Sequence, residues 1–325
     1  MSIYLIAGVA GFIASRVAEL LLEAGHQVVG VDNLNDAYDV RLKEYRLGRL
    51  QGRSDFTFFR ADISQSEEVA VLAQRLPHIE AVINLAARAG VRYSVVNPWV
   101  YLDTNITGTL NLLELCREKD IPKFILASTS SLYGEGNPVP YREDADTDHP
   151  LSPYAASKKA AEALCYTYHR LYGLDVTVFR YFTVYGPAGR PDMAPFRFIQ
   201  WIAEGRPLRL FGDGSQSRDF TYVDDIARGT VLGLKPLGYE VINLGNDEPH
   251  TVRELIALIE EAVGRRAHIV YEPRHPADVQ VTWASIEKAR RVLGWAPQVD
   301  LAEGIRRTVA WYMQEREWAC EIMTV

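Results

Sequence analysis

Residues 3–14 read IYLIAGVAGFIA, an apolar run that passes directly into a glycine-rich turn and then into a helical pattern. A short apolar run bounded by glycine is typical of a buried strand. Gly8 permits a tight turn, and Gly11 lets the backbone approach a pyrophosphate. Ala14 stands where a small residue allows the helix to pack closely on the sheet. The stretch predicts the strand–turn–helix unit that opens a dinucleotide-binding fold.

An acidic residue at the end of the next predicted strand supports this interpretation. Asp32 follows Gly11 by 21 residues, where a carboxylate accepts hydrogen bonds from ribose hydroxyls and repels a 2′-phosphate. The helix N-terminus supplies free N–H groups and positive potential to phosphates. We therefore expect NAD rather than NADP. The alternative is a glycine turn retained for packing alone, with Asn33 as an ordinary turn residue.

Short apolar runs alternate with helical patterns through the first half of the chain. Strands are predicted at 3–7, 27–31, 56–61, 81–85, 124–127 and 176–180, and helices at 12–24, 66–74, 105–119 and 153–171. Repeated βα units predict parallel strands with right-handed crossovers, hence an α/β, doubly wound (Rossmann) sheet. After residue 184 glycine and proline become frequent. We predict an NAD-binding domain over 1–184 and a smaller C-terminal α/β substrate lobe over 185–325, with a late strand at 241–244 that can return to the first domain and a helix at 252–263.

Composition excludes several classes of protein. The 325 residues are 48% hydrophobic and 24% charged, and 35 Lys+Arg against 42 Asp+Glu give a net charge of −7. This balance provides no broad footprint for nucleic acid, and no apolar run reaches the length of a membrane span. Cys116, Cys165 and Cys320 are widely spaced and show no zinc-binding pattern. We expect free thiols, no metal, no signal peptide and a cytoplasmic location.

A tyrosine and a lysine stand four residues apart in the predicted helix 153–171. Tyr154 and Lys158 therefore share a helix face, and a nearby ammonium is expected to lower the pKa of the phenol. A partly ionised tyrosine can take a proton from a substrate hydroxyl. The alternative is a surface lysine beside a packed tyrosine. Thr129, Ser130 and Ser131 end a predicted strand, where hydroxyls point into the ligand crevice or simply terminate the strand.

These features occur in a recognisable order. The glycine turn, Asn84-Leu85-Ala86-Ala87, the hydroxyl-rich strand end, Tyr154-x-x-x-Lys158 and Arg180-Tyr181-Phe182 together resemble an extended short-chain dehydrogenase/reductase of the nucleotide-sugar epimerase and dehydratase branch. The resemblance runs nearly end to end. Residues 31–43, 89–94 and 183–193 are most similar to UDP-glucuronate 4-epimerases. Ala7, Ala14, Asn84 and Arg88 depart from the pattern of the family, and the last two affect the cofactor pocket.

The resemblance implies roles for individual residues. Tyr154 would be the base, Lys158 its partner, and Thr129 a bridge to the sugar 4-hydroxyl. The implied cofactor contacts are Gly8, Gly11, Phe12, Ile13, Asp32, Asn33, Asp62, Ile63, Leu85, Ala86, Ala87, Asn105, Tyr154, Lys158 and Tyr181. The implied substrate contacts are Arg92, Ser130, Ser131, Thr183, Arg190, Arg218, Arg274 and Asp278. Other interpretations are a salt bridge from Arg218 to Asp219 or Asp224, and a solvated loop position for Arg190.

The residues after Thr129 separate the reactions of this branch. Dehydratases and decarboxylases of this branch resemble each other in carrying a carboxylate beside the threonine, whereas Ser130 and Ser131 are hydroxyls, which cannot act as carboxylate acids or bases. The resemblance thus implies NAD-dependent C4 epimerisation of a UDP-sugar, most similar to conversion of UDP-glucuronate to UDP-galacturonate. Thr129, Ser130, Ser131, Thr183 and Arg190 would hold the C6 carboxylate.

Other functions and the oligomeric state stay open at this point. The alternatives are a UDP-glucose/UDP-galactose 4-epimerase, a UDP-glucuronate decarboxylase, and an inactive dinucleotide-binding protein. Helices 105–119 and 153–171 can form a four-helix bundle across a two-fold axis, as in many relatives, or simply cover the sheet. We expect a homodimer.

Overall fold

Parallel strands dominate the first half of the chain, and the computed structural model describes them within residues 1–273 and 279–324. In chain order the strands are β1 (Ile3–Ala7), β2 (Gln27–Asp32), β3 (Phe56–Arg60), β4 (Ala81–Asn84), β5 (Lys123–Thr129), β6 (Asp175–Tyr181), β7 (Thr183–Tyr185), β8 (Leu208–Phe211), β9 (Ser217–Tyr222), β10 (Tyr239–Leu244), β11 (Pro249–Thr251) and β12 (Ile269–Glu272). Those predicted from apolar runs all form, with ends that differ by one or two residues.

Helices fill the connections between these strands. They are α1 (Phe12–Glu23), α2 (Arg41–Gly48), α3 (Ser66–Arg75), α4 (Val91–Val96), α5 (Trp99–Leu102), α6 (Gly108–Glu118), α7 (Pro153–Tyr172), α8 (Ala194–Glu204), α9 (Val223–Leu232), α10 (Val252–Val263), α11 (Glu287–Leu293), α12 (Leu301–Gln314) and α13 (Arg316–Ala319). A π-helical turn over Asp103–Thr107 precedes α6, so the helix predicted over 105–119 begins later than expected. No helix within the described ranges is both long and apolar enough to cross a bilayer.

Seven parallel strands form the central sheet in the order β10-β6-β5-β4-β1-β2-β3. From β1 the chain moves outward to β2 and β3, and it then returns to β4 on the other side of β1. The doubly wound fold predicted from the sequence is thereby confirmed. In such sheets ligands bind beyond the carboxyl ends of the strands where the order reverses, which here are the ends of β1 and β4.

Adjacent residues of β1 face opposite cores. Ile6 packs in the cluster that contains α1, whereas Leu5 packs in the cluster that contains α6, and both are fully buried. A strand covered on both faces reads as a continuous apolar run, which explains why residues 3–7 carry no polar alternation. The sheet is therefore a rigid base for the loops at its carboxyl edge.

The second half of the chain forms a smaller lobe and also contributes to the sheet. Strands β7, β9 and β11 form one small sheet, and β8 pairs with β12 in another. A separate core joins α8, α10 and α12. The late strand expected to return is β10, which pairs with β6 along Tyr239–Leu244, and α9 packs on α1. Residues after 184 therefore support both lobes.

Candidate active site

The glycine turn brings two backbone segments into close contact beside the cleft. Gly11 N donates to Gly8 O at 2.7 Å, and a Cβ at Gly11 would lie 2.8 Å from that oxygen. A Cβ at Gly8, whose φ is +79°, would lie 2.7 Å from Ala86 Cα at the end of β4. No side chain caps α1, which leaves its first N–H groups available to an anion.

Asp32 is fixed by the turn that it faces. Its Oδ2 accepts from Ala10 N at 3.2 Å and its Oδ1 accepts from Leu34 N at 2.8 Å. The carboxylate ends β2 and is 8% exposed. Its position at the carboxyl edge, one strand from the glycine turn, is the one expected for a ribose ligand.

A second carboxylate lies on the neighbouring strand connection. Asn33 Nδ2 donates to Asp62 Oδ2 at 2.8 Å, and Ser64 N donates to Asp62 Oδ1 at 2.9 Å. Burial opposes ionisation of Asp62, but hydrogen bonds from Ser64 and Asn33 and the charge of Arg88 lower the pKa of its carboxyl. Asp62 is therefore a charged acceptor beside Asp32.

These groups line one cleft with many of the predicted cofactor residues. The predicted residues that line it are Gly8, Gly11, Asp32, Asn33, Asp62, Ile63, Leu85, Ala86 and Ala87. The sequence-based prediction missed Asn35, Ala37, Tyr38, Lys43 and Thr104, which also line it. Bare backbone at a helix N-terminus, together with two carboxylates for ribose hydroxyls, fits a dinucleotide.

Two cations meet at the rim of this cleft. Lys43 Nζ donates to Asn35 Oδ1 at 2.9 Å, and Arg88 Nη1 donates to the same oxygen at 3.1 Å. Burial lowers the pKa of Lys43. Arg88, one of the departures from the family pattern, therefore has a place in the cofactor cleft. Lys43 went unnoticed because residues 41–48 carry little apolar periodicity.

The Asn105 side chain links the cofactor cleft to α7 by hydrogen bonds. Its Oδ1 accepts from Arg88 N at 2.9 Å, and its Nδ2 lies 3.0 Å from Arg88 O and 2.9 Å from Ser157 Oγ. The residue is fully buried in the π-helical turn, a distortion often found at functional sites. Its side chain therefore positions the loop after β4.

Three predicted cofactor residues direct their side chains elsewhere. Tyr181 OH bonds Thr230 Oγ1 at 2.7 Å inside the core, and the Phe12 ring lies under the Arg46 guanidinium. Ile13 packs against the core that contains α1. The apolar side chains of these three residues thus pack against protein, and their assignment to the cofactor stays a prediction.

The N-terminal part of α7 carries the reactive pair. Ser152 accepts from Ala155 N at 3.2 Å and caps the helix just before Tyr154. Lys158 Nζ donates to Ala127 O at 2.8 Å. Burial lowers the pKa of Lys158 to about 8, so its charge is sensitive to pH near the physiological range.

The pKa of the Tyr154 phenol shifts in the direction opposite to that expected. Burial raises it, whereas a hydrogen bond with Thr129 and the charge of Arg190 oppose that rise. The expectation of a lowered pKa is wrong for the protein alone, because desolvation of the phenolate outweighs the neighbouring cations. The nearby cation not anticipated as a partner of Tyr154 is Arg190.

Hydroxyl groups cluster where β5 ends. Thr129 Oγ1 accepts from Ser131 N at 3.1 Å and lies 3.2 Å from Ser131 Oγ. A 3₁₀ turn over Ser130–Tyr133 follows immediately, with Thr129 as its cap. Ser130 and Ser131 are half-buried. The structure thus places the predicted serines next to Thr129 at the end of β5.

Arg190 is anchored on the opposite side of the same site. Its Nε donates to Asp192 Oδ1 at 3.0 Å, and its Nη2 donates to Ala89 O at 3.2 Å. Although burial opposes it, the charge of Arg190 lowers the pKa of Asp192. The alternative of a freely solvated arginine is wrong, because the guanidinium is 24% exposed and ion-paired. Thr183 begins β7 on the same connection.

The remaining substrate candidates lie between the two lobes or beyond the described residues. The Arg92 guanidinium of α4 lies 4.3 Å from the centre of the Phe211 ring of β8. Arg218 Nη1 donates to Ser217 O at 2.7 Å. Arg274 and Asp278 lie outside the residues that the structure describes.

The two acidic alternatives for Arg218 have other partners. Asp224 Oδ1 accepts from Arg16 Nε at 2.7 Å, and Asp219 Oδ2 accepts from Ala284 N and Asp247 N. Within residues 1–273 and 279–324, no group of three His, Cys, Asp or Glu side chains could hold a metal ion.

Comparison with known proteins decides the family. The family model for the NAD dependent epimerase/dehydratase family matches residues 4–245. The chain belongs to this family. A UDP-glucuronate 4-epimerase from Thermodesulfobacterium geofontis is 56% identical over 318 residues, which cover 98% of each chain. The family predicted from the ordered motifs is confirmed.

Solved structures of the family superimpose closely on this chain. A UDP-glucuronic acid 4-epimerase from Bacillus cereus, in complex with UDP-glucuronic acid and NAD, has a TM-score of 0.90 at 38% identity and covers 96% of this chain and 99% of its own. A UDP-glucose 4-epimerase from Thermotoga maritima with UDP-glucose has a TM-score of 0.89 at 35% identity and covers 97% and 99%. Fold alone therefore does not distinguish the two sugars within the family.

Proposed function

We propose that this protein catalyses NAD-dependent epimerisation at C4 of UDP-glucuronate, giving UDP-galacturonate. The observation that carries the proposal is the position of Tyr154, which lies close enough to Thr129, at the carboxyl edge of β5, for Thr129 to lower the pKa of its phenol, and which is one helical turn from Lys158. The enzyme class and the cofactor expected from the sequence are confirmed by the relatives.

We propose roles for the residues of the cofactor cleft. The glycine turn and the N-terminus of α1 would hold the pyrophosphate, and Asp32 and Asp62 would accept bonds from ribose hydroxyls. Lys43 and Arg88 add positive charge at the rim. When bound, NAD supplies the acceptor and the later donor of the C4 hydrogen.

Tyr154 moves the proton in both half-reactions. The phenolate takes the proton of the C4 hydroxyl during oxidation and returns it after the 4-keto ring has turned over. Thr129 would hold the C4 oxygen next to the phenol. The charge of Arg190 favours the phenolate, and the ammonium of Lys158, one helical turn away, would add to that effect. Oxidation and reduction balance, so no net redox change results.

Retention of the uronate carboxylate requires donors away from C4. A C4 ketone beside a C6 carboxylate is a β-keto acid, which can lose CO2. Arg190 is held in place by Asp192 and the Ala89 carbonyl. Thr183, at the start of β7, and Ser131, beside Thr129, provide hydroxyls. We propose that this group binds the carboxylate and keeps it out of the geometry for decarboxylation.

Product analysis tests this function against its main alternative. Incubation with UDP-glucuronate is expected to give UDP-galacturonate and no UDP-pentose, and the same preparation should turn over UDP-glucose much more slowly. The similarity to a UDP-glucose 4-epimerase favours the neutral sugar as the second candidate. Faster turnover of UDP-glucose would establish that candidate instead, and UDP-pentose as the main product would indicate a decarboxylase.

We also propose a homodimer built around α6 and α7. The outer surface of α7 exposes Tyr166, Leu171 and Tyr172, and the short helices packed against it expose Val96 and Trp99. Several exposed apolar side chains on packed helices are typical of a subunit interface. Sedimentation velocity should show a dimer that Leu171→Asp converts to monomer. A wild-type monomer at micromolar concentration would refute this assembly.

A cytosolic location agrees with the state of the cysteines. Cys116 and Cys165 are buried free thiols, and Cys320 is half-buried and also free. Free thiols are typical of a reducing compartment. Fractionation of the producing cell tests this location.

A further inference from the structure

A buried ion pair lies behind the reactive part of α7, and the proposed chemistry does not use it. Arg180 Nη2 lies 2.8 Å from Glu162 Oε2, and Arg180 Nε lies 3.0 Å from Glu162 Oε1. The two side chains are 5% and 6% exposed. Desolvation makes such a pair a poor source of stability, and breaking it leaves an uncompensated charge. A contribution to stability therefore does not explain why this buried ion pair is present.

The pair is bonded to the catalytic end of β5. Ser128 Oγ donates to Glu162 Oε1 at 2.6 Å, and the adjacent residue Ala127 accepts from Lys158 Nζ at 2.8 Å. Thr129 is the next residue along the strand. Lys158 and Glu162 thus hold consecutive residues of β5, and they do so from positions four apart on one helix.

Tyr154 completes the same helix face. It precedes Lys158 by four residues, as Lys158 precedes Glu162, and residues with this spacing lie above one another on a helix. The phenol lies beside Thr129, which lowers its pKa. A shift of β5 relative to α7 would therefore move all three contacts together.

The charged and titratable groups that face Lys158 come from two elements. On α7 they are Tyr154, Glu162 and Cys165, and on β6 Arg180 lies behind Glu162; β5 presents the Ala127 carbonyl. Burial lowers the pKa of Lys158, and Cys165 and Glu162 oppose that effect. Because burial raises the pKa of Cys165, its thiol stays neutral, and Glu162 supplies the negative charge.

We propose that Glu162, seated by Arg180, is a positioning residue of the reaction: it keeps Lys158 in the ammonium form and fixes Ser128, and through it Thr129, against α7. This inference rests on the proposed function, because it assigns Glu162 to the step in which Tyr154 acts as the base.

The pH dependence of kcat tests the inference. In the wild-type protein kcat should fall above pH about 8, as Lys158 loses its proton. In Glu162→Gln the high-pH limb should move to lower pH by about one unit, with kcat at pH 8 reduced about fivefold and KM for UDP-glucuronate unchanged. Glu162→Asp keeps the charge and should restore the limb to its wild-type position.

A second ion pair, which joins β5 to β6, is the matched control. Lys123 and Asp175 are the first residues of β5 and β6, and they pair at the edge of the sheet far from the reactive edge. Asp175→Asn should lower the melting temperature and leave the high-pH limb of the kcat profile at its wild-type position. Where Glu162→Gln fails to fold, Glu162→Gln/Arg180→Met removes both charges and should still show a smaller shift in the same direction.

The outcomes separate this inference from the proposed function. A folded Glu162→Gln or double variant with an unshifted limb would overturn the role of Glu162, and so would an equal shift in Asp175→Asn. Absence of any turnover by the wild-type protein would instead refute the proposed function. Circular dichroism of every variant establishes which of them are folded.

Discussion

On the cofactor side of the cleft, the groups that face a ligand are backbone and short side chains at strand ends, such as Gly8, Gly11 and Asp32. On the proposed substrate side the corresponding groups are long arginines, Arg92 and Arg190, carried by a short helix and a loop. Each arginine has a partner of its own, whereas Asp32 is held by the backbone of the turn it serves.

This difference predicts how the two sides respond to mutation. Sheet register fixes the position of a strand end. A substitution there therefore either displaces the backbone or has almost no effect on it. An arginine on a loop can lose its contact while the loop keeps its course. We therefore expect nearly all-or-none effects on the cofactor side and graded effects on specificity on the substrate side.

The largest effect is expected where the two sides meet. Tyr154→Phe removes the group that moves the proton and keeps the ring that packs against Tyr101. A general base contributes roughly 10²–10⁴-fold to a rate, so kcat should fall about 10³-fold. Bound NAD, measured after denaturation, should be unchanged. Undiminished turnover would exclude Tyr154 as the base.

The second-largest effect is expected at Gly8, where the glycine turn lies close to the backbone of Ala86. Gly8 and Gly25 share a φ of +79°, but a Cβ at Gly8 would meet the Ala86 backbone, whereas at Gly25 it would meet nothing within 4 Å. Alanine at Gly25 should cost only the left-handed penalty of about 1–2 kcal/mol. At Gly8 a further roughly 1–3 kcal/mol of overpacking is added, and bound NAD should be lost.

Chemical denaturation and NAD content measure the two glycine variants together. Equal losses of unfolding free energy in both would show that the backbone conformation alone matters. Retention of NAD by Gly8→Ala would contradict the proposed role of the turn.

The sequence predicted most of the cofactor side for the same physical reason. Residues at strand ends are close in sequence to the apolar runs that define the strands, so Gly8, Asp32 and the Leu85–Ala87 segment follow from local pattern. Lys43 and Arg88 were not assigned, because only the tertiary fold brings them together at Asn35. Periodicity carries no information about such long-range contacts.

The reactive pair shows where local reasoning fails. The spacing of Tyr154 and Lys158 correctly places both on one face of α7, yet it gives the wrong direction for the shift of the phenol pKa. Desolvation depends on everything packed around a group, and none of that is visible in a four-residue interval. Glu162 lies on the same face of α7. It was not assigned a role because its partner, Arg180, lies on β6, which is distant from it in sequence.

A graded effect on sugar preference is expected at Arg190. Arg190→Met removes the cation and the hydrogen bonds that would hold the C6 carboxylate. A hydrogen bond to a charged group contributes about 1.5–3 kcal/mol, so the ratio of kcat/KM for UDP-glucuronate over UDP-glucose should fall about 10- to 100-fold. UDP-pentose should appear among the products.

Arg197→Met is the matched control for that variant, since this arginine stacks on Trp201 within the same lobe. It should leave the preference between the two sugars within about twofold of the wild-type ratio. An unchanged ratio in Arg190→Met would exclude Arg190 as the carboxylate ligand.

The smallest effect is expected at the contact that joins the lobes across the cleft. Arg92→Gln removes the cation over the Phe211 ring, and a cation–π contact of this kind contributes about 0.5–1 kcal/mol. KM for UDP-glucuronate should rise about two- to fivefold with little change in kcat, because the contact closes the cleft without touching C4. Arg307→Gln, which removes a similar stack on Tyr222 within one lobe, should leave KM unchanged.

A cleft that closes less firmly should also release more of the 4-keto sugar before the ring is reduced again. Mass spectrometry of the released nucleotide sugars measures that leak, and a leak no greater in Arg92→Gln than in Arg307→Gln would show that Arg92 and Phe211 do not retain the ketone.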